Sequence, residues 1–206
     1  MLNKISDITA IILCGGKSER MGVDKGLLKI NGKTFIENLL SMASQVFDKI
    51  LLSANDSAAY SFLSVQIVRD LLKNAGPLGG IHAGLQKSTT EKNFIITCDM
   101  PFIRPELIFY LSDYLTSSKI LLPQADGRVQ FLCGIYSKNI LPELEDHLVN
   151  EHLPETAGKK SGLSVKNLLA KLDVETINIE KESFYNKDLF FNMNSPEDYE
   201  YVKKNY

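Results

Sequence analysis

Two adjacent glycines, Gly15 and Gly16, are followed closely by Lys17, Arg20 and Lys25, with Asp24 between the last two cations. That combination suits a polyphosphate. Glycine has no Cβ, so a loop through Gly15 and Gly16 can take positive φ and bring its N–H groups against phosphate oxygens. Three cations offset the charge of a triphosphate, and the Arg20 guanidinium can grip two oxygens at once. A solvated turn after a core strand would use the same residues, and the run spells neither GxGxxG nor GxxxxGK[ST].

A second group of polar residues falls after apolar runs further along. Asp99 follows FIITC directly, which puts its carboxylate on a rim rather than in a core. Magnesium takes one or two carboxylates together with phosphate oxygens and water, so Asp99 is a sensible anchor for a nucleotide-bound ion; a cap or turn aspartate before Met100-Pro101 is the plainer alternative. Asn55 and Asp70 occupy equivalent places, where turn chemistry also favours them. The run Gly76-Pro77-Leu78-Gly79-Gly80 exposes backbone donors and acceptors that could read a base or ribose, or it is a tight helix entry. Asn192 and Asn194 flank Met193, and an extended segment would aim both amides the same way; a turn before the next helix would use them too.

The elements that must position these residues follow from periodicity. Ile8 to Leu13 is a continuous apolar run, as in a strand buried on both faces. Leu27 to Ile30 and Asn31-Gly32 suggest a short extended piece and a turn. Phe35, Ile36, Leu39, Leu40, Ala43, Val46 and Phe47 recur at helical spacing. Strands are expected at Ile50 to Leu52, Val65 to Val68 and Phe94 to Thr97, with a helix from about Gly80 between the last two. Pro105 opens a helix whose apolar face is Leu107, Ile108, Leu111, Tyr114 and Leu115. Further on, Ile120 to Leu122 and Phe131 to Tyr136 read as strands around a hairpin loop from Gln124 to Gln130. Asn150 to Gly162 reads as a mobile surface loop. Helical spacing returns at Val165, Leu168, Leu169 and Leu172, a strand at Thr176 to Ile179, and Ser195-Pro196-Glu197-Asp198 starts a last helix. This order predicts one α/β domain over residues 1–206, Rossmann-like and three-layered (α/β/α), with a mostly parallel central sheet. In such sheets ligands collect outside the carboxyl ends of the strands, where Gly15, Asn55, Asp70 and Asp99 all fall.

Composition narrows the function classes. A net charge of −2 argues against a dedicated nucleic-acid binder. Cys14, Cys98 and Cys133 form no CxxC, which argues against structural zinc and a disulfide framework and suits a reducing cytoplasm. No apolar stretch reads as a signal peptide or membrane span. His82, His147 and His152 make no HExxH, and GxSxG is absent.

The run LCGGKSERMGVDKGLL resembles the L-A-G-G-x-S-x-R-M-G-x-D-K signature of nucleotidyltransferases with a GT-A-like fold, in particular the molybdenum cofactor guanylyltransferases of the MobA family. The likeness continues in SAND (53–56), RD (69–70), GPLGGIHAGL (76–85), CDMPF (98–102), QFLCGIY (130–136), GLSVKNLL (162–169) and FFNMNSPEDY (190–199), the last favouring the guanylyltransferase branch. It implies transfer of GMP from GTP to the phosphate of molybdopterin with release of pyrophosphate, dependent on Mg²⁺. By position, Leu13, Cys14, Gly15, Gly16, Gly76 and Gly79 would line the nucleotide, Lys25 and Arg20 would hold phosphates, and Asn55 and Asp70 would complete the GTP pocket. Asp99 would bind magnesium, Arg20, Lys25 and Asp99 together would be catalytic, and Asn192 and Asn194 would lie toward the pterin or metal side of the cleft. Cys14 stands where alanine is commoner, and Phe131 where relatives often have proline. Molybdenum-insertion proteins and molybdoenzyme apoproteins are the partners this implies. A related cytidylyltransferase, and a silent cofactor-carrying module, are the competing expectations.

Overall fold

The computed structural model describes residues 4–15, 23–72, 75–151 and 164–206. Gly16, Lys17, Arg20 and His152 lie outside them, as does the Asn150–Gly162 loop beyond residue 151. In chain order the described elements are β1 (Ile5–Leu13), a 3-10 turn (Lys25–Leu27), β2 (Lys29–Ile30), β3 (Lys33–Thr34), α1 (Phe35–Val46), β4 (Phe47–Ser53) and β5 (Gln66–Val68). Then come α2 (Pro77–Lys87), β6 (Lys92–Thr97), α3 (Pro105–Asp113), β7 (Ile120–Ala125), β8 (Arg128–Val129) and β9 (Gly134–Ser137). A second 3-10 turn (Lys138–Ile140), α4 (Leu141–Glu151), α5 (Val165–Leu169), β10 (Val174–Asn178) and α6 (Pro196–Asn205) complete the set.

The main sheet runs β10-β7-β9-β6-β1-β4-β5, with β8 added on β7. Strand β9 is antiparallel to β6 and β7, and β8 to β7; the other pairs are parallel. The two-residue periodicity of β1 explains the layering. Ile8, Ala10, Ile12 and Cys14 face one core, shared with Ile36, Ala43 and Val46 of α1 and Leu107, Ile108 and Leu111 of α3. Ile11 and Leu13 face the other, against Leu78, Ile81 and Leu85 of α2, Leu144 and Leu148 of α4, and Leu168 of α5. Both faces of β1 are covered, so its apolar run is continuous rather than alternating. The expected α/β/α architecture with a mostly parallel sheet is present. A smaller cluster of Ile30, Phe35, Met193 and Val202 packs α6 against β2 and the start of α1, which brings the 190–194 segment to the rim of the sheet.

Local signals set several ends. Thr34 and Glu37 form a capping box on α1, with Thr34 N donating to Glu37 Oε2 at 2.7 Å, and Ser195 and Asp198 form another on α6. Other boundaries differ from expectation. Phe47 begins β4 instead of ending α1; it is buried in either role, so periodicity could not separate the two. Helix α2 starts at Pro77, before Gly80, because a first-turn proline needs no N–H partner. Tyr114 caps α3, and Leu115 is 94% exposed. Phe131 to Cys133 form a turn closed by Cys133 N to Gln130 O at 3.2 Å, so the strand is Gly134–Ser137. Gln124 belongs to β7, and the hairpin tip is Asp126-Gly127, both at positive φ. Helix α5 ends before Leu172, and β10 starts two residues and ends one residue earlier than Thr176 to Ile179. Helix α4 was not anticipated; its buried face is Leu144, His147 and Leu148.

Candidate active site

Register places the functional residues on one rim. Leu13 pairs with Ser53 of β4 and Thr97 of β6, and Ser53 pairs with Val68 of β5. The residues that follow each of these therefore leave the sheet side by side: Cys14 and Gly15, Asn55, Asp70, Cys98 and Asp99. Gly15 is exposed and turns out of β1 at φ 108°, a conformation that favours glycine.

Lys25 is brought to this rim by its 3-10 turn. Its Nζ donates to Asn194 Oδ1 at 2.7 Å and lies 3.7 Å from Asp99 Oδ2. The Asp99 carboxylate is held from the other side by Thr97 Oγ1, which donates to Oδ1 at 2.5 Å, and Met193 N donates to the Asp99 backbone oxygen at 2.9 Å. The 190–194 segment is thus fastened to the tip of β6. Of the two asparagines, Asn194 reaches Lys25, whereas Asn192 Nδ2 turns to Phe190 O at 2.9 Å; alternation does not aim the two amides alike.

Asn55 and Asp70 form a second cluster further along the rim. Asn55 Nδ2 donates to Asp70 Oδ2 at 2.9 Å, and Asp70 N donates to Asn55 Oδ1 at 3.1 Å. Helix α2 lies against this pair so closely that a Cβ on Gly79 would stand 2.9 Å from Asp70 Oδ2. Gly76, at φ 59°, sets the entry into α2. Leu13, Cys14 and Cys98 are buried beneath the rim. Burial, reinforced by a hydrogen bond with Cys98, pushes the Cys14 thiol well above its ordinary value, so Cys14 fills space there as a neutral group.

Three further residues belong to the arrangement. Thr97 orients Asp99, Asp24 caps the turn that bears Lys25, and Tyr60 donates to Asp24 Oδ2 at 2.7 Å. Asp24 stood in the cationic run without a role. Thr97 had the signal of sitting two residues before Asp99 on an extended segment. Tyr60 lies in the irregular connection from β4 to β5, where no pattern marked it.

The Asp99 carboxylate and the Thr97 hydroxyl offer oxygen ligands, which match a hard cation. Among the described residues no three His, Cys, Asp or Glu side chains gather to hold a metal alone. A single carboxylate, about one quarter exposed, fits an ion that takes its other ligands from substrate phosphates and water.

Residues 10–163 match the family described as MobA-like NTP transferase domain. A probable molybdenum cofactor guanylyltransferase of Carboxydothermus hydrogenoformans is 31% identical over 202 residues, covering 97% of both chains. One from Flavobacterium johnsoniae is 36% identical over 180 residues, covering 86% of this chain and 89% of its own. Among solved structures, molybdopterin-guanine dinucleotide biosynthesis protein A from Archaeoglobus fulgidus superposes with a TM-score of 0.80 at 24% identity, over 96% of this chain and 97% of its own. At that identity the superposition speaks for the fold. With three quarters of its length matched by the family and relatives above 30% identity end to end, this chain belongs to the MobA-like NTP transferases.

Proposed function

We propose that the protein is a molybdenum cofactor guanylyltransferase, acting as one nucleotidyltransferase domain of 206 residues that transfers GMP from GTP to the phosphate of molybdopterin. The observation that carries this is the meeting of Lys25, Asp99 and Asn194 at the carboxyl ends of β1 and β6, beside the Asn55–Asp70–Gly79 cluster. Relatives at 31% and 36% identity bearing that name support the choice of acceptor and base.

A molybdopterin phosphate oxygen attacks the α-phosphorus of GTP, a new P–O–P link forms, and the bond from the α-phosphorus to the bridging oxygen breaks to release pyrophosphate. The acceptor is a phosphate monoester already ionised at neutral pH, so no protein base need remove a proton. The chain's work is alignment and charge. Lys25 lies close enough to Asn194 and Asp99 to exchange those contacts for phosphoryl oxygens of the nucleotide. Arg20, on the sequence motif, is assigned the second phosphate contact. Asp99 would hold Mg²⁺, which supplies further positive charge at the phosphates when bound. Thr97 keeps the carboxylate turned to the cleft. Asn55, Asp70 and the Gly76–Gly79 entry into α2 receive the nucleoside, with Leu13, Cys14 and Gly15 beneath it; Gly16, on the sequence motif, is assigned to the same loop. Asn194, released by Lys25, and Asn192 offer amides to the pterin side.

On this reading the enzyme works in the cytoplasm and hands its product to molybdoenzyme apoproteins; among the described residues no helix is long and apolar enough to cross a membrane. Purified protein mixed with Mg²⁺, molybdopterin and GTP should release pyrophosphate and form the guanine dinucleotide, and CTP should not replace GTP. Turnover with CTP in preference would overturn the guanylyl assignment. Binding of both substrates without pyrophosphate release would leave a carrier module instead.

A further inference from the structure

Lys25 opens a three-residue turn, and that turn is held by a side chain from a distant loop. Asp24 Oδ1 accepts from Gly26 N at 3.0 Å, which caps the turn. Asp24 Oδ2 accepts the Tyr60 hydroxyl at 2.7 Å. Tyr60 is 1% exposed and its ring is packed into the core shared with α1 and α3, where phenylalanine would serve the packing alone. The fit around its oxygen leaves no slack: a Cβ on Gly26 would stand 2.9 Å from Tyr60 Oη and 3.4 Å from Asp24 Oδ1. Burial, with the neighbouring Cys14 and the bond to Asp24, pushes the phenol far above its ordinary value, so it stays protonated and donates.

We propose that Tyr60 is a positioning residue for nucleotidyl transfer: its hydroxyl fixes the Asp24 cap, and the cap fixes where the Lys25 ammonium stands between Asn194 and Asp99. This rests on the reading of Lys25 as a phosphate-holding cation. The loop that carries Tyr60 is tied at both ends to the nucleoside side of the rim, by the Asn55–Asp70 pair and by Arg69 Nε donating to Ser57 Oγ at 3.0 Å. One strip of chain therefore spans both halves of the cleft, from the nucleoside cluster to the lysine.

The test compares Tyr60→Phe, Gly26→Ala, Lys25→Ala and the Tyr60→Phe/Lys25→Ala pair in single turnovers at saturating GTP, with thermal melts. Displacing a catalytic group by a fraction of the ~1 Å that costs ~10²-fold should slow transfer about tenfold in Tyr60→Phe. Its KM for GTP should stay within about twofold, since uniform binding is untouched. Gly26→Ala should repeat the pattern, and Tyr60→Phe should add nothing once Lys25 is alanine. Acylation of the Lys25 amine, followed by mass spectrometry, should quicken in Tyr60→Phe. Wild-type transfer by Tyr60→Phe with Lys25→Ala impaired, or an unchanged Lys25 acylation rate, overturns the proposal while sparing Lys25. Wild-type transfer by Lys25→Ala overturns the reading of the lysine itself.

Discussion

Replacing Asp99 by asparagine removes one charge and leaves the shape, so its consequences for folding and for turnover can be separated. The Lys25–Asp99 contact of 3.7 Å joins side chains that are 15% and 25% exposed. At an effective dielectric constant of about 20 the attraction is roughly 4 kcal/mol. Desolvation and side-chain ordering offset most of it, and exposed pairs return a net ~0.2–1 kcal/mol. The remaining contacts survive the change: Thr97 Oγ1 can donate to an amide oxygen, Met193 N bonds the backbone, and Lys25 keeps Asn194. Stability should therefore fall by no more than about 1 kcal/mol, or ~2–4 °C in Tm for a chain of this size. Turnover removes a group that acts where charge develops, and should fall ~10²–10³-fold. Pyrophosphate release followed across a Mg²⁺ titration, beside melts of the same samples, reads both quantities. The variant should also need more Mg²⁺. Near-wild-type turnover with an unchanged Mg²⁺ requirement would refute the assignment, and a loss of activity matched by collapse of the melt would reduce Asp99 to a structural residue.

Gly79→Ala should raise KM for GTP about tenfold with kcat little changed, because the added Cβ would press on Asp70 Oδ2 at 2.9 Å and disturb the Asn55–Asp70 pair; steady-state kinetics with GTP varied reads it. Hydrogen bonds from the Thr34 side chain and backbone hold the Glu37 carboxyl below its ordinary value. A depressed carboxyl stabilises the fold above its unfolded-state value, ~4.3, and loses that contribution as pH falls through the folded-state value below it. The Tm gap between wild type and Glu37→Ala should thus be full at neutral pH and narrow on acidification below about pH 4. Cys133 is fully buried, and burial pushes its thiol up to about 12. Iodoacetamide at mildly alkaline pH should therefore label Cys133 and Cys14 only after denaturation, as peptide mass spectrometry would show.

What could be read without coordinates was whatever one segment states by itself. The doubly buried β1, the amphipathic α1 and the Ser195-Pro196 cap each carry their own period or cap chemistry, and each is present, β1 starting three residues earlier and α1 ending one residue earlier than the pattern. Helix α4 escapes the pattern because His147 interrupts its buried face while Val149 is exposed, which blurs the apolar spacing. Boundary errors at Phe47 and Leu115 arose where an apolar residue continued the helical period past its end, once into a strand and once into solvent. At the site, rim placement of Gly15, Asn55, Asp70 and Asp99 followed from their position after apolar runs. Which of them meet did not. The Lys25–Asn194 bond joins residues 169 positions apart, and Tyr60–Asp24 joins residues 36 apart, so neither leaves a local trace. The expectation that Asn192 and Asn194 point alike failed because Asn192 spends its amide on Phe190 within a turn.

The strand order puts Asp99 and the Asn55–Asp70 pair on the two flanks of β1. From β1 the chain moves outward on one side through β4 and β5, then crosses back to lay β6 on the other flank of β1. The strand order thus reverses between β1 and β6, above the Leu13–Thr97 pair, which is where open α/β sheets hold their ligands, although α1 and α3 cover the same face. A ligand entering there meets residues from both arms of the sheet. Asn55 and Asp70 come from the β4–β5 arm, and Asp99 comes from β6, whose neighbouring β9 reverses direction. Lys25 arrives from the β1 connection and Asn194 from the far end of the chain. If a phosphate replaces Asn194 at Lys25, as proposed above for the nucleotide, the Asn194 amide oxygen is freed when GTP is seated. Asn194→Ala should accordingly alter KM for the pterin substrate more than KM for GTP, and the reverse order of effects would place Asn194 on the nucleotide side of the opening.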